Sequence, residues 1–289
     1  MAPIGARMAD ELNHWIMVQI SFALIALTAL STLPSAVLAE PHHNSKAKPH
    51  LDSSTETPLN SIQHDRRQAG GCNFPNPPAA SNVRSNAPIV VRAGRPFNGG
   101  GRRYGRGLTC NNRYEGGRAD AVFVLEPGAV IENTVIGRDN QEGIHCLGPC
   151  TIRNVWFEKV CEDAITLLQG SGISAIIGGG ARSAVDKVIQ HNGGGMVNIQ
   201  GFCAQDFGAL YRSCGNCRTQ ATRQVRISQV TAINGRRLVG VNANYGDVAT
   251  IDRTTRMSRV QSVCDTFRGN NNGGQPQLLT NRPSASCRF

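Results

Sequence analysis

The sequence predicts an all-β fold, a parallel β-helix built as a single-stranded solenoid. Three observations carry this. Gly is abundant (32 of 289 residues) while Trp (2) and Tyr (4) are few, which suits many tight turns between short strands. From residue 86 onward, short apolar runs alternate with Gly-containing turns. The lead apolar residues of these runs, Val122, Ile144, Ile165, Val188, Leu210 and Val239, are spaced by 22, 21, 23, 22 and 29 residues. A step near 22 with no helical period is the length of one rung, and because a rung cannot bury its own apolar face, stacking the rungs makes the core. An antiparallel sandwich also uses short strands and turns but requires no fixed step.

Residues 1–39 read as a signal peptide. WIMVQISFALIALTAL (15–30) is apolar but falls short of the roughly 20 residues a membrane span needs. Ser35-Ala36-Val37-Leu38-Ala39 has the small-residue pattern of a signal-peptidase site, with cleavage placed after Ala39. A retained anchor is the competing reading, and Arg7 set against Asp10 and Glu11 leaves the leader poor in positive charge. Residues 40–85, rich in Ser, Pro, His, Asn and Thr, are expected to be a linker or pro-segment, with Arg66-Arg67 as a candidate processing site. Residues 86–289 then form the β-helix domain.

All ten cysteines follow residue 71. An even count behind a signal peptide points to disulfides and a secreted, extracellular protein, with a pairing that spacing cannot give. Zinc is the alternative for Cys214 with Cys217 and for Cys146 with Cys150, but no matching histidine pairs follow. The formal charge is +10. No aromatic RNA-binding signature accompanies it, so nucleic acid is not expected, whereas an acidic extracellular polymer is. No membrane partner is expected after signal cleavage, and the protein is expected to be a monomer.

Carboxylates recur at one place in the repeat. Asp120, Glu142, Asp163 and Asp186 each lie two residues before a lead apolar residue, and Glu162 adjoins Asp163 in VCEDAITLLQG. Equivalent residues of successive rungs stack ~4.8 Å apart, so these acids would form a column on one edge. Carboxylates that close repel one another, and a hard cation such as calcium relieves the repulsion. The other reading has them pointing into water and pairing with arginines.

Lys187 follows Asp186, and Arg212 lies in the next rung. Acids around a metal, flanked by Lys and Arg, suit β-elimination on a uronic-acid polymer. The metal acidifies the C5 proton, a neutral Lys removes it, and the Arg meets carboxylate or developing charge. The plainer reading makes Lys187 a salt-bridge partner of Asp186 and Arg212 a turn residue. A hydrolase would need paired carboxylates around a water, which the close Lys and Arg argue against. His145 and His191 read as structural, and Asn133 and Asn154, 21 apart, as a ladder within the coil.

VFVLEPGA, VIGRDNQEGIHC, CTIRNVWFEKVCEDA, GGGARSAVDKVIQHNGGG, QDFGALYRSCGNC and GVNANYGDVATI resemble the secreted pectate lyases of polysaccharide lyase family three. The likeness runs from about Ala87 to Phe289. It implies a right-handed parallel β-helix and calcium-dependent cleavage of polygalacturonate, the pectate backbone of pectin, at alkaline pH. The family's metal-binding acids fall on Glu142, Glu162 and Asp163, its candidate base on Lys187 and its active-site arginine on Arg212. Glu115 matches a further family Glu, while Asp186 is a metal candidate from stacking. Two family lysines are absent, where Ala209 and the stretch Leu167-Leu168-Gln169 stand. Their loss implies weaker hold on the polyanion and keeps a second class open: a secreted β-helix that binds pectin without cutting it.

Overall fold

The computed structural model describes residues 71–111 and 115–289. The predicted signal peptide, residues 1–39, and residues 40–70 of the predicted linker lie outside the described residues. The chain joins the coil before residue 86. Cys72 is bonded to Cys203, Phe74 packs edge-on against Trp156, and Val83–Arg84 pairs with Arg103–Gly105. Residues 72–84 of the predicted linker thus pack on the coil.

Strands wind into a parallel β-helix held by three ladders. One runs Phe123, Ile144, Ile165, Ile189, Tyr211, Val239, Cys264. A second is isoleucine throughout: Ile131, Ile152, Ile176, Ile199, Ile227, Ile251. The third runs Ile136, Phe157, Ala181, Ala204, Ala232, Met257, with small residues beside the large Phe157. All these side chains are buried. Burying an Ile contributes about 1.5–3 kcal/mol, and the repeat multiplies that term along the coil.

The ladder corrects the predicted register. Phe123, Ile189 and Tyr211 take the places assigned to Val122, Val188 and Leu210. Both members of each pair are apolar and fully buried, so hydrophobicity cannot tell them apart. An irregularity between Ala184 and Lys187 shifts the register of that rung.

One turn repeats in left-handed backbone at Asn133 (φ 50°), Asn154 (φ 48°), Gly178 (φ 65°), Gly201 (φ 64°) and Gln229 (φ 54°). Asn and Gly tolerate that conformation best. Asn154 donates its side-chain amide to Asn133 Oδ1 at 2.9 Å, the expected ladder.

The ten cysteines form five disulfides: Cys72–Cys203, Cys110–Cys161, Cys146–Cys150, Cys214–Cys217 and Cys264–Cys287. The zinc alternative is thereby ruled out for both cysteine pairs. Cys110–Cys161 ties the segment leading to Glu115 against the rung that carries Glu162.

Candidate active site

The strands Glu142–Cys146, Asp163–Leu167, Gly180–His191, Cys203–Ser213 and Thr231–Asn242 lie side by side and place two outward columns on one face. Lys187 pairs with Asp163, Ala209 with Lys187 and Arg237 with Ala209. The pairing of Ile144 with Ile165 sets Glu142 one rung from Asp163. The first column thus reads Glu142, Asp163, Lys187, Ala209, Arg237. Three residues on, the second reads His145, Thr166, Gln190, Arg212, Gly240, Asp265.

The predicted column of four acids needs correction at both ends. Ala121, not Asp120, pairs with Glu142, and Asp120 accepts a hydrogen bond from the Gly117 N–H in a short turn. Asp186 does not stack on Asp163, because the shifted register brings Lys187 there instead. Asp186 lies beside the column, 56% exposed, 2.5 Å from Lys187 Nζ and 3.8 Å from Arg236 Nη2.

Lys187 sits among acids, with its Nζ also 3.5 Å from Asp163 Oδ1 and 3.8 Å from Glu162 Oε1. Burial alone would lower its pKa, but Asp163, Asp186 and Glu162 outweigh burial and hold the ammonium above the ordinary lysine range. The surrounding acids thus oppose the neutral Lys187 expected from desolvation. Burial pushes the Asp163 carboxyl well up against the pull of Lys187, with Glu142 and Glu162 adding to the rise. Glu162 is raised by burial too, then by Glu142 and Glu115. Asp163 Oδ1 is buried and, though near the ammonium, makes no hydrogen bond. The cluster holds more acid than one lysine can neutralise.

Glu115, Glu142, His145, Glu162, Asp163 and Lys187 line a cavity of about 180 Å³. Among the described residues, no three His, Cys, Asp or Glu side chains converge closely enough to hold a metal ion as they stand. The donors are nevertheless hard carboxylate oxygens, and the buried, unsatisfied Asp163 Oδ1 is of the kind a hard cation takes.

Arg212 is held differently. Its Nη1 donates to Asn242 Oδ1 at 3.2 Å, and its guanidinium lies 4.0 Å from the centre of the Phe267 ring. Gly240 leaves the room: a Cβ there would come 2.9 Å from Arg212 Cδ and 3.2 Å from the Phe267 ring. Asn242 is fixed in turn, donating its side-chain amide to Cys214 O and its backbone N–H to Asp247. Burial, and after it the nearby charge of Arg237, lowers Arg212 to about 10. Glu162, Lys187, Ala209, Arg212, Arg236 and Arg237 share a groove of about 590 Å³.

His191 is fully buried between Tyr211 Oη (2.8 Å) and Gly194 O (3.1 Å), away from the groove. His145 is buried with Nε2 3.3 Å from Glu142 Oε2. Where the two family lysines are absent, Ala209 lines the groove, whereas Leu168 is half-buried and the adjoining Gln169 is buried, donating to Gly172 O and Met196 O. Arg236, Arg237 and Phe267 carry no motif. Arg237 was still within reach of the spacing rule, since it lies two residues before Val239.

The family model for pectate lyase matches residues 73–273. The chain is 50% identical over 216 residues to the probable pectate lyase D of Neosartorya fischeri, covering 75% of this chain and 90% of the relative. In three dimensions it resembles the catalytic domain of pectate lyase PelI from Erwinia chrysanthemi (TM-score 0.61, 29% identity), over 72% of this chain and 96% of that one. It also resembles PelI in complex with tetragalacturonic acid (TM-score 0.59, 30% identity), over 71% of this chain and 67% of that one.

Proposed function

We propose that this chain, which belongs to the pectate lyase family and is a pectate lyase, cleaves polygalacturonate by calcium-assisted β-elimination and releases unsaturated oligogalacturonides outside the cell. The observation that carries this reading is the stacking of Lys187 directly on Asp163, with Arg212 lining the same groove. Five disulfides and relatives from fungi support secretion.

Glu142, Glu162 and Asp163, with Glu115 beside them, are the residues that would hold calcium. Bound there, the ion would neutralise the acids that keep Lys187 charged and draw electrons from a sugar carboxylate. Lys187, as the free amine, takes the proton from C5 of the sugar. That electron pair forms the C4=C5 bond, and the C4 oxygen leaves with its bonding pair and takes a proton from solvent. Arg212 meets the negative charge that builds on the carboxylate side. It is pre-positioned by Asn242 and Phe267, so little reorganisation is needed. Asp186, turned to Lys187 and Arg236, serves the base more than the ion.

A second reading, pectin binding without cleavage, draws on Ala209 and half-buried Leu168 standing where the family has lysines. The test is polygalacturonate with calcium at alkaline pH, followed by ultraviolet absorbance of the new double bond. The lyase reading expects a rise that a chelator abolishes. A flat trace from folded protein that still binds the polymer would leave the second reading standing.

A further inference from the structure

Beyond the Lys187–Arg212 pair, the groove carries cations that the mechanism leaves unused. In the column of the base, Ala209 is a gap, and Arg237 is the next side chain along. At ~4.8 Å per rung, Arg237 begins about 9.6 Å from the backbone of Lys187. Arg236 lines the same groove, 56% exposed, with its only ion pair among the described residues at 3.8 Å to Asp186.

Arg237 is only partly satisfied. Its Nη1 reaches Asp265 Oδ2 at 3.3 Å, while the Ser262 hydroxyl holds the other Asp265 oxygen. Its guanidinium lies 5.1 Å from the Phe267 ring centre, so Arg237 and Arg212 share one aromatic ring. Its Nε is buried and has no hydrogen-bond partner among the described residues. Within ion-pair distance Arg212, Arg236 and Arg237 have two acids between them, Asp265 and Asp186, with the buried Asp247 acting on Arg212 from further off, and Asp186 is already engaged by Lys187. An excess of weakly hydrated, fork-shaped cations suits a planar carboxylate.

We infer that Arg237, with Arg236, forms a second carboxylate-binding subsite for the uronate chain, one that fills the gap at Ala209. It rests on the pectate lyase reading for its ligand and assigns these two residues a share in the preference for the free acid that this reading already carries. A free carboxylate is recognised by charge, and a methyl ester, which is neutral, is not. The subsite supplies one rung further along a cation that Ala209 does not.

The test is calorimetric binding of a short galacturonate oligomer and of its methyl ester, with a chelator present so that nothing is cut. Arg237→Gln is expected to weaken binding of the free acid by about tenfold. The same change should weaken binding of the ester by less than about twofold, so the selectivity ratio collapses. Arg237→Lys should fall between, and Ala209→Lys added to Arg237→Gln should recover most of the loss. Equal losses for acid and ester, no loss at all, or no recovery with Ala209→Lys would overturn the subsite and leave Arg237 as a partner of Asp265. If Arg237→Gln does not fold, Arg236→Gln carries the same comparison with a smaller expected drop. Failure of the lyase reading is separable: it appears as no unsaturated product from the unmodified chain with calcium, whatever the binding shows.

Discussion

The groove has two ends of opposite sign. At one, Glu142, Glu162, Asp163 and Asp186 crowd around a single ammonium. At the other, Arg212, Arg236 and Arg237 gather around Phe267 with fewer acids than guanidiniums. Burial acts on both and pushes in opposite directions, raising Asp163 and Glu162 and lowering Arg212 and Arg237. Each end is thus short of the counter-charge it needs. A cation relieves one, a polyanion relieves the other, and a calcium-bridged uronate chain brings both at once. A uniformly basic groove would bind the polymer without tuning a base.

Lys187→Ala tests the acid end most severely. It removes the proposed proton acceptor, and kcat should fall by about 10²–10⁴ with a folded protein. A fall of less than tenfold would move the base elsewhere, and Arg212 would be the next candidate, since it is lowered to about 10. Arg212→Gln tests the basic end. Losing a prepositioned cation should cost about 10²–10³ in kcat. Arg212→Lys should recover little of it, because an ammonium neither spans to Asn242 in the same geometry nor stacks on Phe267 as well. Full recovery by Lys would mean that charge alone matters there.

The fold was legible because it is written redundantly. The repeat near 22 residues, the Asn133–Asn154 spacing and the Gly-rich turns all specify one coil. Of the predicted column of acids, Glu142 and Asp163 were legible, and they do lie one rung apart. The column failed by one residue where two apolar neighbours, Val188 and Ile189 or Leu210 and Tyr211, are both buried. Periodicity cannot choose between them, and a single-residue slip exchanges Asp186 for Lys187 in the column. The cation assembly around Phe267 could not be read, because Phe267 and Arg237 come from strands 30 residues apart with no shared pattern. Lys187's charge could not be read from spacing for a related reason. Which of burial and acids wins depends on distances of a few ångströms that spacing does not supply.

Beneath the basic end the same contrast takes a different form, at a fully buried histidine that lies near the buried Arg223. His191 is lowered to about 4 by burial, while its bond to Gly194 O opposes the shift. The folded state thus keeps His191 neutral while the unfolded chain protonates it near 6.5. Its contribution is fully present above pH 6.5 and is lost as pH falls from about 6.5 towards 4, by up to ~3 kcal/mol. Denaturant titrations across that range should show the decline, and His191→Gln should flatten it while lowering stability at neutral pH. An unchanged slope would assign acid sensitivity to other groups.

The smallest effect is expected at Asp186, the residue that joins the two ends. It is 56% exposed and contacts Lys187 on one side and Arg236 on the other. Solvent screens such pairs, so Asp186→Asn should cost less than about 1 kcal/mol in kcat/KM and leave calcium affinity nearly unchanged. Asp163→Asn, buried at the floor of the cavity, should reduce calcium affinity by at least tenfold in the same titration. If the two variants lose calcium equally, Asp186 is a ligand after all, and the acid end extends a rung further than its register places it. If Asp186→Asn loses nothing while Asp163→Asn does, the boundary between the ends lies at Lys187. The residue that removes the proton then stands where the field of the groove changes sign.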